Sequence, residues 1–131
     1  MSTTTVLERF RLDGKAAIVT GASSGLGVAF GTALAEAGAD LVLVGRRADR
    51  LEQTRKLVTD LGRRAITVTA DVSLPEAAQP VVDAALNEFG QVDVLVNNAG
   101  KGTAVPATRE TPDPAYITAT TLVVDGGLTA L

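Results

Sequence analysis

The chain has 131 residues, 46% hydrophobic and 21% charged, with a net charge of −3 and no cysteine, histidine or tryptophan. Disulfide scaffolds, thiolate nucleophiles, Ser-His-Asp triads and His-ligated metals are excluded, which leaves acid/base chemistry to one tyrosine, a few lysines and the carboxylates. The length fits a single domain spanning 1–131 that buries about two-thirds of its unfolded surface, and an acidic chain has no general pull on nucleic-acid phosphates.

Residues 15–20, a short apolar run introduced by Asp13-Gly14 and ended by Gly21, read as a buried strand. Leu26, Ala29, Phe30, Ala33, Leu34 and Ala37 follow at helical spacing and predict a helix that buries this stripe and closes at Gly38. Residues 41–44 predict a second strand. The helical period returns over 48–61, with Leu51, Leu57, Val58 and Leu61 as its apolar face and Gly62 as its stop. Residues 65–70, rich in β-branched side chains, predict a third strand. Pro75 opens a third helix whose stripe is Ala78, Val81, Val82, Ala85 and Phe89, and Gly90 ends it. Residues 92–96 predict a fourth strand.

Strand and helix thus alternate from 15 to 96, the pattern of an α/β fold with a parallel sheet and right-handed crossovers. A doubly wound sheet in the order 3-2-1-4 puts the first two helices on one face and the third on the other. Its topological switch point lies between strands 1 and 4, where ligands bind outside the strands' carboxyl ends. From 97 to 120 no period survives, and Pro106, Pro112 and Pro114 break any helix, so this segment reads as an irregular connection. Residues 121–125 then predict one terminal strand, followed by Gly126-Gly127.

The residues that carry chemistry begin with Thr20-Gly21-Ala22-Ser23-Ser24-Gly25-Leu26-Gly27, placed between the first strand and the first helix. Gly21 permits a tight turn, Gly25 a close backbone approach to a pyrophosphate, and Gly27 close packing of helix on sheet. Backbone N–H groups and the helix dipole face the phosphates, with the Ser23 and Ser24 hydroxyls as further donors. A plain strand-to-helix turn is the competing reading.

This glycine spacing, together with Asp71-Val72 after the third strand, Asn97-Asn98-Ala99-Gly100 after the fourth and Val123-Val124-Asp125-Gly126-Gly127 near the end, resembles the short-chain dehydrogenase/reductase family. The resemblance covers residues 10–113 and again 114–131. It implies a Rossmann-like fold and hydride transfer between NADP and a carbonyl or alcohol. It also implies that Asp71 contacts the adenine ring and that Val72, Asn98, Ala99 and Gly100 join the nucleotide site.

An acid about twenty residues beyond the glycines would read the ribose hydroxyls of NAD, but Gly45 stands there, followed by Arg46 and Arg47. Two guanidinium groups suit a 2′-phosphate, so NADP is expected over NAD, unless Asp49 and Glu52 neutralise them on a merely solvated helix start. Asp71 could likewise only cap or turn the chain, and Asn97 and Asn98 only accommodate unusual backbone angles.

The family's catalytic serine and Tyr-x-x-x-Lys pair have no counterpart. The only tyrosine, Tyr116, is followed four residues later by Thr120, and the lysines are Lys15, Lys56 and Lys101. A deletion junction near 113–114 accounts for this, with the fourth strand and its loop joined to the family's last strand. A shortened gene product, an engineered minimal domain and an incomplete sequence all fit. The chain as written is expected to bind NADP without turnover; the alternative is an assembly-dependent fragment or engineered minimal fold without ligand function.

Without its neighbour the fourth strand is an apolar edge. Either the terminal strand fills the vacant position or the chain self-associates there. Charged residues Glu8, Arg9, Arg11 and Asp13 interrupt the N-terminus and no run reaches membrane-spanning length, so neither signal peptide nor membrane partner is expected, and the expected location is cytoplasmic.

Overall fold

The computed structural model describes residues 4–99. The expected strand at 121–125, the junction near 113–114 and the connection beyond Ala99 lie outside the described residues.

Four parallel strands, β1 (Ala16–Thr20), β2 (Asp40–Gly45), β3 (Ala65–Thr69) and β4 (Val94–Val96), form one sheet in the order β3-β2-β1-β4. A one-turn helix α1 (Val6–Arg9), which the apolar pattern does not signal, precedes them. Its Thr5 and Glu8 form a reciprocal capping box. Helices α2 (Gly25–Glu36), α3 (Ala48–Asp60) and α4 (Ala78–Phe89) connect the strands, α4 entered through a 3₁₀ turn at Pro75–Ala77.

Strand pleating divides the core. Ala17, Val19, Leu41 and Leu43 face α2 and α3, while Ile18, Val42 and Val44 face α4. The two central strands are covered on both sides and read as continuous apolar runs for that reason. The sheet order and the split of helices between the faces are those expected from the alternation of elements.

The buried helix faces differ from the expected stripes. In α2 the buried residues are Gly27, Gly31 and Ala35, whereas Leu26 is 68% exposed and Phe30 38%. A Cβ on Gly31 would lie 3.4 Å from Leu43 Cδ2 and 3.8 Å from Thr54 Cγ2, so this helix meets the sheet and α3 on its smallest side chains. Hydrophobic periodicity selects the greasiest face, but the available separation selects the thinnest. In α3 the buried residues are Leu51, Thr54 and Val58, with Leu57 and Leu61 turned outward. In α4 only Val81 and Ala85 are buried; Val82 and Ala78 are exposed, and Phe89 lies half-buried under the Arg64 guanidinium.

Strand β4 begins at Val94 rather than Val92. The Asp93 side chain takes the Ala16 N–H at 2.8 Å while the Asp93 N–H donates to the Ala16 carbonyl at 2.9 Å, and both close the ladder at its amino end.

The corrected faces predict opposite outcomes for two neighbouring leucines. Leu51→Ala, in the sealed core, should lower unfolding free energy by about 2–5 kcal/mol. Leu57→Ala should change it by less than about 1 kcal/mol. Urea unfolding monitored by circular dichroism measures both, and equal losses would show that the stripe is misplaced.

Candidate functional site

The carboxyl ends of β1, β2 and β4 lie side by side because the sheet is parallel, and the glycine-rich turn 21–24 crosses them before α2 begins. Gly21 adopts φ 63°, a left-handed value, and a Cβ there would approach Asn98 Nδ2 to 3.0 Å and Ala99 Cα to 3.1 Å. A Cβ on Gly27 would fall 1.8 Å from the Gly21 carbonyl oxygen. These two glycines therefore bring the first turn of α2, the turn itself and the exit of β4 into contact.

Hydrogen bonds fix that contact from three sides. The Ala22 N–H donates to the Val44 carbonyl at 3.0 Å, tying the turn to β2. From α3, the buried Thr54 hydroxyl donates to the Ala22 carbonyl at 2.8 Å. The Thr20 hydroxyl accepts the N–H groups of both Asn98 and Ala99 at 3.0 Å, and Asn98 Nδ2 reaches the Gly21 carbonyl at 3.4 Å. Thr54 was not evident as a site residue. Its one signal is a hydroxyl placed between Leu51 and Val58 on an otherwise apolar stripe.

The outer side of the turn is built differently. Ser24 occupies the N-cap of α2 but makes no side-chain capping bond, so the helix's leading N–H groups are not satisfied by it. Gly25 has φ 57°, and a Cβ there would meet no protein atom within 4 Å. Ser23 is half-buried against the end of β2, its Oγ 3.3 Å from where a Cβ on Gly45 would stand. Leu26 projects from the first turn of α2 into solvent.

Arg46 and Arg47 leave β2 directly beside this turn and are exposed. Among the described residues neither forms an ion pair. Glu52 does not neutralise them: it is held by Arg55 through Nε at 2.8 Å and through Nη2, a hydrogen-bonded pair that keeps the Glu52 carboxyl below its usual range. Asp49 pairs with neither arginine. Arg47 is also the N-cap of α3 and supplies no capping bond there.

The exit of β3 joins the same edge, since the Ala70 N–H donates to the Gly45 carbonyl at 2.9 Å. Asp71 then forms a tight turn: its Oδ1 accepts the Ser73 N–H at 3.0 Å and the Ser73 hydroxyl at 2.6 Å. The turn-forming role weighed for Asp71 is thus present. Val72 is 38% exposed beside it. The structure brings Gly21, Ser23, Ser24, Gly25, Leu26, Gly27, Asn98 and Ala99 together, with Arg46, Arg47, Asp71 and Val72 along the neighbouring strand exits; Gly100 lies outside the described residues. No cluster of three metal-ligating side chains occurs among the described residues.

This arrangement suits a dinucleotide: a glycine-rich turn, a helix start without a side-chain cap, and next to both guanidinium groups that are unpaired among the described residues. A family model for short chain dehydrogenases matches residues 15–123. The chain belongs to that family.

An uncharacterized oxidoreductase of Mycobacterium tuberculosis is 41% identical over 95 residues, covering 72% of this chain and 36% of that relative. Among solved structures, L-sorbose reductase from Gluconobacter frateurii in complex with NADPH and L-sorbose is 39% identical with a TM-score of 0.70, covering 78% of this chain and 40% of that one. Carveol dehydrogenase from Mycobacterium avium in complex with NAD is 32% identical with a TM-score of 0.70, over 80% of this chain and 42% of that one. This short-chain dehydrogenase chain therefore spans well under half the length of these relatives, and what it carries is the Rossmann-like core of an oxidoreductase family that binds nicotinamide nucleotides.

The Thr20 hydroxyl predicts a test of how the site is held. Thr20→Val removes the acceptor of two N–H groups and should cost about 1–3 kcal/mol of stability for each one left unpaired, with faster amide exchange at Asn98 and Ala99. Thr20→Ser should restore most of the protection. If Thr20→Val leaves both amides as protected as before, another group holds the β4 exit.

Proposed function

We propose that this chain is an NADP(H)-binding module that does not itself turn over substrate. The observation that carries the reading is the pair Arg46 and Arg47, exposed and without ion-pair partners among the described residues at the end of β2, where Gly45 replaces the acid that would favour NAD. Charge-assisted hydrogen bonds from them to a 2′-phosphate would be worth about 1.5–3 kcal/mol, or about ten- to a hundredfold in affinity. The NADPH of the L-sorbose reductase complex supports this choice, and the NAD of the carveol dehydrogenase complex is its natural rival.

On this reading the N–H groups of the turn from Gly21 to Gly27, with the Ser23 and Ser24 hydroxyls, hold the pyrophosphate, and Gly25 leaves room for it. Leu26 and the strand exit at Asn98, Ala99 and Gly100 border the nucleoside at the β1/β4 side, while Asp71 and Val72 border the adenine. When bound, the nucleotide supplies a hydride donor or acceptor. The protein's own residues bind and orient it and nothing more, because the family's catalytic serine and Tyr-x-x-x-Lys pair are missing from the sequence: Tyr116 is followed by Thr120, and no lysine lies within reach in sequence. Without a lysine to lower the phenol pKa, Tyr116 cannot exchange a proton efficiently near neutral pH. A fragment without ligand function is the second reading, favoured by the edge of β4 that has no strand partner among the described residues.

Calorimetric titration separates them. NADP should bind saturably, with Arg46→Ala and Arg47→Ala each weakening NADP about tenfold or more while changing NAD little. Absence of saturable heat for either nucleotide would defeat the binding reading. Sustained, substrate-dependent NADPH oxidation by the same protein would instead overturn the assignment of no turnover. The expected cytoplasmic location remains part of this proposal. No helix among the described residues is long and apolar enough to cross a membrane.

A further inference from the structure

Thr54 is the one polar side chain among the buried residues of α3, and both groups on its Cβ are engaged. Its methyl lies toward α2, 3.8 Å from where a Cβ on Gly31 would stand, and its hydroxyl donates to the Ala22 carbonyl at 2.8 Å. A threonine inside a helix ordinarily turns its hydroxyl back to the carbonyl four residues earlier. Here that acceptor, the Arg50 carbonyl, is the longer contact at 3.3 Å, so the single proton goes to the glycine-rich turn.

Ala22 is fully buried and is gripped on both sides. Its N–H donates to the Val44 carbonyl at 3.0 Å while its carbonyl accepts from Thr54, which fixes the two peptide units that flank it. The peptide between Ala22 and Ser23 is trans, so the Ser23 N–H lies opposite the Ala22 carbonyl. With that carbonyl turned toward α3, the N–H is turned away from α3. Ser23 itself is half-buried against the end of β2, the strand from which Arg46 and Arg47 leave.

We propose that Thr54 is a positioning residue for the nucleotide: without touching the ligand, its hydroxyl fixes the peptide between Ala22 and Ser23 so that the Ser23 N–H is presented to a phosphate oxygen. The inference rests on the nucleotide reading of this turn and adds to it a buried residue, on another helix, that governs how well the turn accepts the anion. NADP and NAD share the pyrophosphate, so Thr54 acts on both alike, whereas Arg46 and Arg47 act on the difference between them. Loss of the hydroxyl leaves the buried Ala22 carbonyl without its donor and frees the peptide to turn.

Thr54→Val keeps the shape and removes the hydroxyl, and Thr54→Ser keeps the hydroxyl and removes the methyl. The full chain is titrated calorimetrically with NADP and with NAD, below the unfolding transition of each variant. Thr54→Val should weaken both nucleotides by the same factor, about tenfold, and Thr54→Ser should bind them as the unmodified chain does. In the unmodified chain, saturating NADP should shift the Ser23 amide resonance downfield and leave that of Ala22, already bonded to Val44, in place. That second readout decides the matter even if Thr54→Val fails to fold. Unchanged affinity in folded Thr54→Val, an equal loss in Thr54→Ser, a loss confined to NADP, or an unmoved Ser23 amide at saturation would each overturn the inference and leave the nucleotide reading intact. An unmodified chain that binds neither nucleotide would bring down that reading, and the inference with it.

Discussion

The approach of α2 to the carbonyl of Gly21 is the contact from which the rest of this molecule follows. With a Cβ of Gly27 only 1.8 Å from that oxygen, no other residue can stand there without moving the turn or the helix. The close approach sets the height of α2 above the sheet, and the next turns keep it with Gly31 and Ala35. That height in turn lets α3 come near enough for Thr54 to bond the Ala22 carbonyl. A single steric constraint thus orders a helix, its neighbour and the turn between strand and helix.

The same constraint produces the site. Packing the inner side of the turn so tightly uses the carbonyls of Gly21 and Ala22 in internal bonds, while the leading N–H groups of α2 are left without a side-chain cap. An uncapped helix start is unfavourable in isolation and favourable beside an anion. The neighbouring arginines act in the same direction. Among the described residues these two exposed guanidinium groups have no carboxylate partner, so they contribute little to the stability of the fold. This edge thus presents an uncapped helix start and exposed guanidinium groups, whereas the opposite end of the sheet satisfies itself through Asp93 and Ala16.

The edge at β4 is the counterpart of this order. Strands β1 and β2 are sealed on both faces and both flanks, and their burial supplies most of the core. Strand β4 shares their apolar character without their surroundings. Among the described residues its Leu95 stays exposed, as do Val82 and Leu86 of α4. In the family's relatives the matched stretch is only part of a longer chain.

Sequence alone determined the order and kind of the elements, because short β-branched runs between glycines and a 3.6-residue period are local properties that survive without any partner. It also determined the doubly wound topology, since right-handed crossovers leave few arrangements for alternating strands and helices. The glycine turn was legible too, its residue type being forced at Gly21 and Gly27 by close approach. Only the tertiary structure decided which helix faces are buried: α2 turns Gly27, Gly31 and Ala35 inward and leaves Leu26 and Phe30 outside, because the separation between packed layers, not the hydrophobicity of a stripe, chooses the face. Only it revealed that Glu52 belongs to Arg55 rather than to Arg46 or Arg47, and that Thr54 holds the turn from a distant helix. Such pairings depend on distances between residues far apart in the chain or on one choice among several nearby partners, and neither is written in local spacing.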